Sequence, residues 1–175
     1  MSCCSKRPAE PHEMDAPRLV EILRTLHDHQ VEFIVVGGMA AVIGGAPIVT
    51  RDVDVLRERS PQNTQCWLTA LANLDAVTRT DSRRLRPNAS HLTGPGHLLL
   101  ETRLGILDVL ATIEDDTTYE DVLPDTISID LGGFSVRVLG LERLLLVKRK
   151  LGRPKDKLMA LQIEATLEER NNPKM

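Results

Sequence analysis

The stretch from Thr50 to Leu56 constrains the chain most. Asp52 and Asp54 alternate there with the β-branched Val53 and Val55, and a period of two belongs to a strand with one face turned to a core. On such a strand both carboxylates point the same way, about 6 to 7 Å apart. Upstream, Phe33 to Val36 is a short, wholly apolar strand that runs into Gly37-Gly38. Met39 to Ile43 then reads as a brief helix, broken by Gly44, Gly45 and Pro47. A strand, a glycine pair, a helix and a strand bearing paired acids make the first recognisable unit.

The rest of the chain supplies what such a unit packs against. Leu19, Ile22, Leu23 and Leu26 recur at helical spacing behind Asp15, a predicted N-cap, and give an amphipathic helix to about His29. Ser60-Pro61 opens a helix through about Leu71. Strands are predicted at His97 to Thr102 and Ile106 to Ala111, after a broken strand-like region with the basic loop Arg83 to Pro87. Tyr119 to Leu123 reads as one helical turn, and Thr126 to Leu131 with Ser135 to Leu139 flank a Gly132-Gly133 hairpin turn. Leu141 to Leu151 forms a helix ended by Gly152, and Pro154 opens another to about Glu169. The expected organisation is a disordered tail over residues 1–14, a core over 15–139 and C-terminal helices over 140–170 packed on that core. The fold class is α/β (α+β): a small mixed sheet with helices against it.

Composition narrows the function classes. At 175 residues and 42% hydrophobic content the chain can bury one core. Phe33, Trp67, Tyr119 and Phe134 are its only aromatics, few for a protein that grips single strands by stacking, worth roughly 1 to 3 kcal/mol per base. The net charge of −3 gives no global attraction to nucleic acid, although basic residues gather at Arg79 to Arg86 and Lys148 to Lys157. Cys3, Cys4 and Cys66 fit neither a disulfide framework nor a zinc spacing, which points to a reducing cytoplasm. No apolar run approaches the ~20 residues that cross a bilayer, so no membrane partner is expected.

Two anions side by side want a cation, and oxygen-only ligands suit Mg²⁺ or Mn²⁺, with water and substrate phosphate completing the shell. Taken alone, Asp-Val-Asp more often describes solvated carboxylates on an edge strand. Gly37-Gly38 offers close backbone approach to a phosphate, and alone far more often describes a tight strand-to-helix turn with no ligand. The pairing of the two carries the argument.

Val36-Gly37-Gly38 followed by Asp52-Val53-Asp54-Val55 resembles the motif of the DNA polymerase beta-like nucleotidyltransferase superfamily. That motif is an apolar residue, Gly-Gly or Gly-Ser, a short interval, then Asp-apolar-Asp/Glu-apolar, and the intervening stretch looks like the small prokaryotic members. The resemblance implies a third carboxylate from a neighbouring strand, for which Asp108 has the right setting and Glu101 is the fallback. Asp52, Asp54 and Asp108 would then be catalytic and hold the metal. Leu141 to Leu161 is similar to the helical segment of nucleotidyltransferase-like toxins of bacterial defence systems, with Lys148 followed by Gly152-Arg153-Pro154-Lys155-Asp156. By that resemblance Lys148 faces the triphosphate and Asp156 braces it, with Gly37, Gly38, Thr50 and Arg51 completing the nucleotide-binding set. The chain departs from the pattern at Met39, where many relatives have a phosphate-contacting serine, and at Ile48, where small members often have a basic residue.

The implied activity is transfer of a nucleoside monophosphate from a nucleoside triphosphate to a hydroxyl of RNA such as tRNA, a protein or a small molecule, with release of pyrophosphate. The implied setting is a toxin-antitoxin or defence system with a cognate toxin or antitoxin. The alternative is a catalytically inactive fold serving as a binding or antitoxin partner. Arg83, Arg84 and Arg86 with His91 and His97 are a candidate hold for an acceptor phosphate or RNA backbone, beside the plainer reading of a flexible basic loop.

Overall fold

The computed structural model describes residues 16–172, so the expected tail and the Asp15 cap lie outside the described residues. Helix α1 (Ala16–Asp28) buries Leu19, Ile22, Leu23 and Leu26 along one side, as their spacing of three and four requires. Strand β1 (Phe33–Val36) is buried throughout. Helix α2 (Gly37–Ile43) follows directly, so the glycines are its first residues and not a turn ahead of it. Then come β2 (Asp52–Arg57) and α3 (Pro61–Asn73), the latter capped by Ser60 Oγ, which accepts from the Asn63 N–H at 3.1 Å. The chain continues through β3 (Val77–Thr78), α4 (Ala89–Thr93), β4 (Leu98–Thr102) and β5 (Gly105–Leu110). It ends with α5 (Tyr119–Val122), β6 (Thr126–Asp130), β7 (Ser135–Leu139), α6 (Leu141–Leu151) and α7 (Pro154–Asn171).

Two local features differ from the sequence reading. Helix α4 was not expected; it is held by Asn88, whose side chain accepts the His91 N–H while His91 Nδ1 accepts the Asn88 N–H, both at 3.1 Å. The β6–β7 connection is a four-residue loop over 131–134, in which Asp130 Oδ1 accepts from the N–H groups of Gly132 and Gly133 at 2.7 and 3.1 Å. The aspartate, acting on the backbone two and three residues ahead, lengthens the turn beyond the glycine pair.

The seven strands form one mixed sheet in the order β3-β4-β5-β2-β1-β7-β6. β2 pairs antiparallel with β1 and parallel with β5, which places it in the interior and excludes the edge-strand reading. Val53, Val55, Leu107 and Val109 share one face and are fully buried. α1 and α3 pack together on that side; Trp67 of α3 tilts against Phe33 of β1 with ring centroids 6.5 Å apart. The opposite face carries Asp52, Asp54 and Asp108. α6 packs on α2 and on α7, turning at Gly152, whose φ of +64° favours glycine. No helix among the described residues is long and apolar enough to cross a membrane.

Candidate active site

Strand register brings the acids together. In the parallel β2–β5 pair Asp54 lies opposite Asp108, and Asp52 shares their face two residues earlier. One carboxylate oxygen from each of the three lies within 4.8 Å of the other two. Glu101 is not brought in: it sits on β4 and bonds to Arg84 at 2.9 Å.

The glycine pair is what lets α2 lie against these acids. Gly37 has φ +62°, and a Cβ there would stand 2.2 Å from Asp54 Oδ2, far inside van der Waals contact. A Cβ on Gly38 would stand 2.8 Å from Thr50 Oγ1. Thr50 Oγ1 in turn lies 3.0 Å from Asp52 Oδ1 and donates toward that residue, fixing its carboxylate. Met39, where the resemblance leads to the expectation of a phosphate-contacting serine, is buried in the core.

Electrostatics make the cluster hungry for positive charge. Burial, reinforced by the negative charges of Asp52 and Asp108, raises the Asp54 pKa from 3.8 to about 7, against the pull of Lys148 and Lys155. Asp108 is also raised, because burial outweighs the opposing contribution of Arg79. A single guanidinium nitrogen of Arg79 lies 2.7 Å from both Asp108 oxygens. Arg79 was seen in the sequence only as the start of a basic stretch. Its backbone N–H donates to Leu99, the residue opposite Asp108 on β4, and the long side chain spans that intervening strand.

The C-terminal helices close one side. Lys148 on α6 is buried and ion-paired to Asp156 on α7 at 3.1 Å, and Arg153 Nε reaches the other Asp156 oxygen at 2.5 Å. Burial would raise the Asp156 pKa, but hydrogen bonds from Arg153 and Lys148 prevail and hold it below the usual range. Lys148, Lys155, Asp52 and Asp54 line two adjoining hollows, of about 380 Å³ on the Asp108 side and about 570 Å³ on the side of Gly38, Thr50 and Arg51. The site therefore gathers Gly37, Gly38, Thr50, Arg51, Asp52, Asp54, Asp108, Lys148 and Asp156 in one region.

The basic loop divides. His97 lines the Asp108 side, its Nδ1 accepting the Ala111 N–H at 3.2 Å. Arg83, Arg84 and Arg86 turn instead to Asp81, Glu101 and Asp75 at 2.7, 2.9 and 3.7 Å, and His91 is engaged in the α4 cap. Their spacing showed positive charge but not the acids that meet it. Glu114 was also missed: it lines the same hollow, buried and paired with Arg143 at 2.5 Å, and no motif marks it.

The sequence matches no family model and no curated protein. In three dimensions the chain is similar to the crystal structure of a candidate nucleotidyltransferase from Thermotoga maritima, at 17% identity with a TM-score of 0.55. The match covers 93% of this chain and 98% of that one. At that identity the likeness establishes a nucleotidyltransferase-like fold.

Proposed function

We propose that the chain is a metal-dependent nucleotidyltransferase. It moves a nucleoside monophosphate from a nucleoside triphosphate to an acceptor hydroxyl and releases pyrophosphate. The observation that carries this reading is the convergence of Asp52, Asp54 and Asp108 within 4.8 Å, beside a glycine-backed surface and Lys148.

The donor set fits a hard divalent cation such as Mg²⁺ or Mn²⁺: all ligands are carboxylate oxygens, and burial, reinforced by the charges of Asp52 and Asp108, lifts Asp54 to about 7. When bound, such a cation offsets negative charge on the phosphates and on the attacking and leaving oxygens. Asp52 and Asp54 would hold it, with Thr50 fixing Asp52. Gly37 and Gly38 leave the backbone open to the β and γ phosphates. Lys148, steadied by Asp156, balances phosphate charge, and Arg51 lines the hollow on the Gly38 and Thr50 side. Asp108, positioned by Arg79, takes the proton of the acceptor hydroxyl. The hydroxyl oxygen bonds to the α-phosphorus as the α–β phosphoanhydride bond breaks, and pyrophosphate departs.

Label transfer from each of four α-labelled nucleoside triphosphates with Mg²⁺, using total RNA and cell protein as acceptors, tests the proposal. Transfer by the parent and none by the Asp52→Asn, Asp54→Asn double variant is expected. No transfer, joined with no metal-dependent nucleotide binding, would leave the fold as a binding partner, such as one half of a toxin-antitoxin pair.

A further inference from the structure

We propose that a basic hollow on the Arg79 side of the three acids receives backbone phosphates of single-stranded nucleic acid. The acceptor hydroxyl then belongs to a nucleic-acid end. The acceptor role rests on the nucleotidyl-transfer reading above; the binding site does not.

The hollow, of about 330 Å³, lies where β2 begins and β4 turns into β5, and Arg18, Arg51, Arg79, Arg103 and Glu101 supply its charged groups. Two of these charges, Arg51 and Arg103, meet no acid among the described residues. Glu101 already bonds to Arg84, and Arg103 donates to the backbone carbonyl and side-chain oxygen of Asn73 at 3.0 and 3.3 Å, groups that leave its charge in place. Arg51 is exposed and has no hydrogen bond or ion pair among the described residues. Arg18 adds a further guanidinium to the wall.

Arg79 ties the hollow to the chemistry. One of its nitrogens holds both oxygens of Asp108 at 2.7 Å, while its buried Nε–H has no partner. Donor capacity thus remains beside the carboxylate that faces the acceptor hydroxyl. A nucleic-acid end matches this pair of features, because its terminal sugar carries a hydroxyl on one side and a phosphate on the other. A polycationic small molecule would be repelled by the same arginines. Phe33, Trp67, Tyr119 and Phe134 are all buried and offer no stacking platform, so the contact is with backbone phosphate and carries no sequence preference.

The test is fluorescence anisotropy of a labelled single-stranded RNA of about eight nucleotides, in EDTA and without nucleoside triphosphate, over a range of salt. Two phosphate contacts predict a slope of log K against log salt of about −1.4, and Arg51→Ala or Arg103→Ala should each reduce it by about 0.7. Arg83→Ala, outside the hollow and paired with Asp81, should leave it unchanged. Arg51 also borders the nucleotide side, but Arg103 does not, so Arg103→Ala should weaken RNA binding and leave nucleotide affinity as in the parent. Absent binding at low salt, equal binding by parent and variants, or equally tight binding of polyglutamate would overturn the proposal. Because neither metal nor nucleotide is present, a failure of nucleotidyl transfer shows separately from a failure here. Transfer onto protein without RNA binding would sink the hollow and spare the enzyme.

Discussion

Asp54 holds the tension of the site. It is flanked by two other carboxylates, largely out of water, and its pKa stands at about 7 in the folded chain against 3.8 for a free side chain. The folded state therefore holds this proton more tightly than the unfolded state. That contribution to stability is full below about pH 4 and is lost as pH rises through 7. In metal-free protein, thermal melts should show the parent losing stability relative to Asp54→Asn between pH 5 and pH 8. Added divalent cation should narrow the gap at pH 8, and parallel pH profiles for the two proteins would contradict the assignment. For activity, Asp52→Asn or Asp54→Asn should lower turnover by roughly 10²-fold or more, the scale of a lost charge-stabilising group, with circular dichroism unchanged. These acids were legible in the sequence because alternation fixes which way strand side chains point. Arg79 was not, because its partner lies two strands away and only sheet register brings them together.

Two joints between elements hold the site in shape. The first is the β1–α2 junction, where Gly37 takes φ +62° against Asp54. Gly37→Ala should cost about 1 to 2 kcal/mol in backbone strain alone, seen as a lower denaturation midpoint, and should weaken divalent cation binding by displacing Asp54. Wild-type cation affinity in that variant would remove the glycine from the site. The second is the α6–α7 joint, where fully buried Asp156 neutralises buried Lys148. Asp156→Ala strands that charge and should destabilise by roughly 3 to 5 kcal/mol. Lys148→Ala should weaken nucleotide binding by about 1.5 to 3 kcal/mol, the value of a charge-assisted contact. Most of these elements could be read in advance: Ser60-Pro61, Gly152 and Pro154 mark helix ends by backbone chemistry that acts within a few residues. Helix α4 escaped because its cap uses a histidine where Glu or Gln is usual.

At the scale of the molecule, the sheet order decides what the local motifs become. An Asp-Val-Asp strand at an edge would be a solvated stripe; between β1 and β5 it faces Asp108 and the wall made by α6 and α7. The sequence indicated the fold class and the acids, but the order β5-β2-β1-β7 joins segments far apart in the chain, and local periodicity says nothing of such pairings. The central claim is that this arrangement takes a divalent cation together with a nucleoside triphosphate. Calorimetric titration of Mg²⁺ into the protein with a non-hydrolysable triphosphate analogue, at pH 7 in two buffers of different ionisation enthalpy, tests it most directly. With Asp54 pushed up to about 7, the account predicts saturable binding that releases protons, part of them from that residue, and is lost in Asp54→Asn. Binding that neither requires Asp54 nor releases a proton, or no binding at all, would contradict it.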